Sequence, residues 1–264
     1  MKDILTALWN YRHFIFSSIR NDLRSRFARS RLGALWMILQ PLAQVAIYSL
    51  VLSRIMATKL PGIDNRYAYV IYLMAGMVAW SLFAEVVTRS LTIFVENGNL
   101  MKKMSFPRVC LPFIISGSAL INNLLLLMTA MGLFVLMGHA MSLAVLWLPL
   151  LIVINLAFSL GLGLILGVLN VFIRDVAQVM TVVLQLLFWL TPIVYMPNII
   201  PERLRVVLEF NPMMHMVAAF QSVILYGRSP DFGALSVVAV AAVALLLCSL
   251  VLFRRAAPEM VDVL

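Results

Sequence analysis

The sequence predicts an all-α polytopic membrane protein of six transmembrane helices, and three observations carry that expectation. The chain is 63% hydrophobic and only 12% charged over 264 residues, with a mean hydropathy of +1.02. Its charges are segregated, so that Ile114–Leu136, Leu143–Leu169 and Ala234–Phe253 hold no Asp, Glu, Lys or Arg. Each stretch is at least as long as the roughly 20 apolar residues a helix needs to cross hydrocarbon. The Lys and Arg residues fall unevenly between the segments joining the spans. A soluble domain of this composition would have to expose several helices with no polar face. The spans are framed by an N-terminal amphipathic interface helix and by short re-entrant helices on the outer side, between spans five and six. One domain, residues 1–264, accommodates all of these elements.

The N-terminal segment is charged along its length and lacks an apolar run, so no cleavable signal is expected there. Ile4, Leu8, Tyr11, Ile15, Ile19, Leu23 and Phe27 recur at helical spacing and form one stripe. Basic residues, among them Arg24, Arg26, Arg29 and Arg31, occupy much of the remaining surface. This predicts an interface helix over residues 1–32, lying against anionic lipid. A solvated basic tail is the alternative, and it would not need the stripe.

Hydropathy places the six spans at Ala34–Met56, Tyr67–Thr88, Val109–Met137, Leu143–Leu169, Val176–Met196 and Ala234–Phe253. With the N-terminus inside, 14 of the 20 Lys and Arg residues lie on the cytoplasmic side. That bias predicts cytoplasmic termini. It also accounts for the net charge of +9 without nucleic acid.

The loop between spans two and three interleaves Lys102 and Lys103 with Leu100, Met101, Met104 and Phe106. Asn97-Gly98 is a turn signal, and Pro107 stops any helix begun near Asn99. Apolar knobs beside basic groups suit docking on another protein; a loop that merely sets topology is the alternative. In the outer segment 197–233, Asn211-Pro212 is an N-cap and first-turn signature, and Gly227 supplies a stop. The apolar run Met213–Tyr226 is too short to cross, which predicts a re-entrant or interfacial helix. Pro201 opens a second short helix, Glu202–Phe210. The pair reads equally as a gate or as a passive cap.

Catalytic chemistry is sparse. Glu85 is the one acid inside a span, and Arg89 follows on the same helical face, so an ion pair is expected rather than a proton relay. His13, His139 and His215 fall in separate segments, and Cys110 and Cys248 form no ligand spacing. No metal site and no catalytic residues are therefore expected. None of the four lysines follows a glycine, which excludes a phosphate-binding loop. Ion-coupled carriers place acids at broken mid-membrane helices and carry inverted repeats, and neither is evident. Active transport would then draw on a separate ATPase, with the loop after span two as its natural dock.

Arg24-Ser-Arg-Phe-Ala-Arg-Ser-Arg-Leu-Gly-Ala-Leu-Trp-Met-Ile-Leu-Gln-Pro, Asn99-Leu-Met-Lys-Lys-Met-Ser-Phe-Pro-Arg, Ile173-Arg-Asp and Asn211-Pro occur in this order. With the topology, they resemble the membrane subunit of ABC-2-type polysaccharide exporters, the group of O-antigen and teichoic acid export permeases. The likeness covers essentially the whole chain. It implies a homodimer in the bacterial cytoplasmic (inner) membrane, joined by two copies of a nucleotide-binding ATPase and enclosing a channel for a lipid-linked polysaccharide. The chain itself would bind no cofactor, because ATP and Mg belong to the ATPase. Asn99, Lys102, Lys103, Phe106 and Pro107 would carry the ATPase contact, with Arg174 and Asp175 at a second one. For that pair, an ordinary helix boundary is an equal reading. Tyr48 and Trp189, well inside their spans, are the aromatic candidates for stacking on sugar rings, although helix packing explains them equally. Asn211 and Pro212 would mark the outer gate. Export of teichoic acid, capsule or a small molecule is the alternative within this architecture. A membrane enzyme acting on lipid or glycan is the alternative from another class.

Overall fold

The structure, a computed structural model, describes residues 9–25, 35–36, 39, 42–43, 47, 67–98, 110–199, 201 and 208–263. Seven helices occupy these residues: α1 (Arg12–Ser25), α2 (Ala68–Glu96), α3 (Cys110–Leu136), α4 (Leu148–Phe172), α5 (Asp175–Leu190), α6 (Pro212–Ile224) and α7 (Phe232–Val263). No strand occurs among the described residues. Four of the helices are long and apolar enough to cross a membrane, counting the 3-10 turn Leu143–Trp147 with α4, and α5 and α6 are shorter apolar helices. The protein is a multi-pass helical membrane protein. The first expected span, at 34–56, falls mostly outside the described residues.

Helix α2 is the hub of the bundle. Its 29 residues are buried nearly all round, including Ile71, Met74, Leu82, Phe83 and Val86. At 1.5 Å per residue it is about 43 Å long, longer than the hydrocarbon core. It therefore runs beyond the expected end at Thr88. Nothing in residues 89–96 breaks a helix, and its C-terminal turn ends only at Asn97, whose side chain donates to the Ile93 carbonyl (2.8 Å).

Helix α4 lies against α2 at very short range, and glycine is the reason. A Cβ on Gly167 would stand 2.3 Å from the Ser90 carbonyl oxygen, and one on Gly163 would stand 2.7 Å from Ser90 Cβ. The spacing Gly163-x-x-x-Gly167 puts both on one face, so the helices pack backbone to backbone, as small residues allow in membranes. Gly161 serves the neighbouring face: its Cβ would meet the Leu246 backbone nitrogen of α7 at 2.8 Å.

Amide side chains pin the bundle to the hub. Asn123 of α3 donates to the Val78 carbonyl, Asn155 of α4 to Ala79 and Asn170 of α4 to Leu91, each at 2.8 Å. Each amide finds an acceptor inside protein rather than facing hydrocarbon unpaired. At the far end of α2, the Tyr72 hydroxyl lies 3.1 Å from the Pro192 carbonyl and 3.2 Å from that of Tyr195.

Helix α5 has 16 residues, whereas hydropathy carries the apolar segment on to Met196. Pro192 accounts for the break. It disfavours helical dihedrals at the preceding residue, and Thr191 is extended (φ −91°, ψ 131°). Helix α6 begins at the expected cap: Asn211 Oδ1 accepts from the Met213 backbone N–H at 3.0 Å, and Pro212 occupies the first turn. It is then buried along most of its length against α2, α4 and α7. The chain turns away at Gly227, whose φ of +61° suits glycine.

Candidate functional site

Helix α1 meets the bundle through a polar junction. Ile19 is its one buried residue, and Gly117 of α3 provides the space: a Cβ there would stand 2.4 Å from Ile19 Cδ1. One turn beyond Ile19, Asp22 faces α2, where its Oδ1 lies 2.8 Å from Arg89 Nη2. The other terminal nitrogen of Arg89 donates to the Ser118 hydroxyl of α3 and lies 3.7 Å from Glu85 Oε1. Asn122 of α3 donates to Glu85 Oε2 at 2.8 Å. One guanidinium thus joins three helices. The side chains of Asp22, Arg89 and Glu85 are only 18–27% exposed, so water screens their charges weakly.

The Glu85–Arg89 pair follows from the i,i+4 spacing. Asp22 does not, since it lies 67 positions from Arg89 in the chain. The available signal is that Asp22 is the only acid between Ile4 and Arg31, next to the apolar stripe of a basic helix. Beside this junction, a cavity of about 1230 Å³ opens between α1, α2 and α3. Facing polar stripes border it, with Ser18 and Asn21 on α1 and Thr88 and Thr92 on α2. A second cavity of about 370 Å³, at the opposite end of α2, is bordered by Tyr72, Asn198, Gln221 and Tyr226.

Of the interface-helix arginines, Arg24 is exposed in the last turn of α1. Arg26, Arg29 and Arg31 lie outside the described residues, as do Asn99, Lys102, Lys103, Phe106, Pro107 and Tyr48. Arg174 and Asp175 are exposed at the start of α5. Asp175 in the first turn complements the helix dipole. The Asn170 side-chain oxygen accepts from the Ala177 backbone N–H at 3.1 Å, which fixes the α4–α5 turn. Trp189 sits in the last turn of α5, because Thr191-Pro192 ends the helix at Leu190. The residue is 58% exposed, and its ring packs edge-on against Phe188 at 5.6 Å. Asn211 also donates from Nδ2 to Thr191 Oγ1 at 3.0 Å, so the cap of α6 is tied to the break after α5.

Among the described residues, no three His, Cys, Asp or Glu side chains converge in a metal-binding group. The ring Nε2 of His139 lies 2.8 Å from the Ile224 carbonyl and that of His215 lies 2.8 Å from the Glu209 carbonyl. Both act as braces between backbone segments. The arrangement is that of a membrane-embedded helical bundle with an amphipathic helix clamped to its hub.

The chain belongs to the ABC-2 type transporter family, whose model matches residues 13–225. It is 30% identical over 210 residues to an O-antigen export system permease protein of Klebsiella pneumoniae, covering 78% of each chain. A Myxococcus xanthus protein of the same description is 27% identical over 265 residues, 98% of each chain. The polysialic acid transport protein KpsM of Escherichia coli is 25% identical over 240 residues, covering 88% of this chain and 89% of its own.

Proposed function

We propose that this chain is the permease subunit of an ABC exporter that moves a lipid-linked, O-antigen-like polysaccharide across the bacterial cytoplasmic membrane. The observation that carries this reading is the end-to-end similarity to an O-antigen export system permease, 98% of each chain. The chain works as a homodimer with six spans per subunit, both termini on the cytoplasmic side, and two copies of a separate ATPase supply the energy. A C2 dimer is the simplest way for a chain without internal repeats to enclose a path.

In this reading Asn99, Lys102, Lys103, Phe106 and Pro107 meet the ATPase, with Arg174 and Asp175 beside them. Closure of the ATPase pair on ATP moves this surface as a rigid body. The Asp22–Arg89 junction supports the coupling, because it ties α1 to α2 through an ion pair at 2.8 Å. Asn211 and Pro212 shape the outer end of the path, with α6 as a fixed wedge beside α2.

The similarity to the polysialic acid transport protein supports a second reading of the cargo, a capsular polysaccharide. Deleting the gene and staining the surface glycan tests both. Loss of a surface polysaccharide, restored by the intact chain, and co-purification of an ATPase with the tagged chain are the expected results. A tagged chain that captures no ATPase, in cells whose surface glycan is unchanged, would overturn the proposal.

A further inference from the structure

At the end of the bundle where α2 stops and α3 begins, Ile93, Phe94, Cys110 and Leu111 share one apolar cluster with Val168 and Val171 of α4. Ile15 of α1 packs against the same cluster. Residues 97–109, which join α2 to α3, hold the candidate docking residues, and Arg174 and Asp175 follow the end of α4. Both stretches read as meeting an ATPase therefore spring from one patch of packed side chains.

Helix α7 closes that patch. Its charge-free run ends at Phe253, yet the helix continues to Val263. At 1.5 Å per residue its 32 residues span about 48 Å, well beyond the roughly 30 Å of hydrocarbon. The extension is amphipathic. Phe253, Ala256 and Met260 recur at spacings of three and four and are buried, Met260 completely, whereas Arg254, Arg255 and Glu259 are exposed. The Phe253 ring stacks on that of Phe94, with centroids 5.4 Å apart and planes at 25°. Pro258 lies inside this stretch and lacks the N–H that would bond the Arg254 carbonyl, so intrahelical bonds alone hold these turns poorly. Met260, two residues beyond the proline, is held instead by the cluster. A helix that only crossed the membrane would have no use for these turns. They join a cluster that already ties together the bases of α2, α3 and α4, and close-packed side chains transmit a displacement rather than absorb it.

We infer that the Phe253–Met260 face of α7 is a positioning brace, which locks both ends of segment 97–109 to the end of α4 so that the two ATPase contacts move as one block. This rests on the exporter reading and adds the residues that keep its stroke rigid.

Met260→Asp places a carboxylate in the cluster, and Met260→Leu keeps its volume. Both are made in a Cys248→Ser chain, where the buried Cys110 is the remaining thiol. Maleimide labelling of Cys110 in membranes reads the cluster directly, and faster labelling in Met260→Asp but not in Met260→Leu is expected. In cells, Met260→Asp is expected to lower surface polysaccharide by about tenfold, within the usual range of coupling between sites, while Met260→Leu retains it. The ATPase should still co-purify with the aspartate variant and hydrolyse ATP, so that hydrolysis no longer drives export. Normal export by Met260→Asp, or unchanged labelling of Cys110, overturns the assignment. Met260→Ala is milder because it adds no charge, and it too should separate hydrolysis from export. Parallel loss of export, hydrolysis and monodisperse protein in the alanine variant would make Met260 a determinant of folding alone and overturns the brace. Labelling is read on the membrane-embedded chain whether or not an ATPase is captured, so failure of the exporter reading and failure of this inference are separate results.

Discussion

Arg89 of α2 and Asp22 of α1 lie 2.8 Å apart, and through that pair the amphipathic helix is held to the hub of the bundle. Removing the cation leaves two carboxylates, Asp22 and Glu85, half-buried without it. Removing Asp22 leaves Arg89 with Glu85 and the Ser118 hydroxyl. Arg89→Leu is therefore expected to cost more than Asp22→Asn. A hydrogen bond to a charged group is worth about 1.5–3 kcal/mol, and Arg89→Leu should lie at the upper end of that range. Thermal unfolding in detergent, with the double variant closing a mutant cycle, measures the coupling. Additive effects would mean that the pair does not hold α1.

The Glu85–Arg89 half of this junction is legible in the sequence because it is local, one turn apart on one helix. The Asp22 half is not, because only packing brings residue 22 next to residue 89. The same divide runs through the fold. Helix α3 ends within a residue of its hydropathy bound, at Leu136 against Met137, where the apolar run gives way to Gly138. Helix α5 stops short of its apolar run because of a single proline. The glycines of α4 disappear into a uniformly apolar stretch, where hydropathy registers a span but not the face that touches α2. Trp189 stands out in the sequence as an aromatic.

The α2–α4 contact predicts a steep difference between glycines. Gly167→Leu forces a side chain against the Ser90 carbonyl, where even a Cβ would be 2.3 Å away. Backbone must move, and overpacking of this kind costs about 1–3 kcal/mol or more. The expected result is loss of monodisperse protein in size-exclusion chromatography. Gly132 in α3 is the control, because a Cβ there meets nothing within 4 Å. Gly132→Ala should leave the elution profile unchanged and improve helix propensity slightly. Equal damage at both sites would refute the close-packing account.

Asn155 offers a gentler test of the polar pins. Its Nδ2 donates to the Ala79 carbonyl at 2.8 Å, and its backbone carbonyl accepts from the Ser159 hydroxyl at 2.6 Å. Interhelical hydrogen bonds in membranes average about 0.6 kcal/mol, with a maximum near 1.7. Asn155→Ala should therefore shift thermal unfolding by much less than Gly167→Leu, despite full burial at position 155. A larger loss for the alanine variant would mean that polar bonds, rather than close backbone approach, set the stability of this pair of helices.

At the far end of the bundle, Asn211 uses both ends of its amide. The oxygen caps α6 by accepting from the Met213 N–H, and the nitrogen donates to Thr191 Oγ1, each at 3.0 Å. The two roles separate chemically. Asn211→Asp keeps an acceptor at the helix N-terminus and adds charge favourable to the dipole, but it removes the donor to Thr191. Asn211→Ala removes both, and loss of an N-cap alone costs about 1 kcal/mol. The expected order of stability is wild type, then Asn211→Asp, then Asn211→Ala, read by thermal unfolding. Limited proteolysis between residues 208 and 231 should follow the same order, because fraying of α6 exposes the chain there. If the aspartate variant proves as weak as the alanine one, the bond to Thr191, rather than the cap, anchors α6 beside the break after α5.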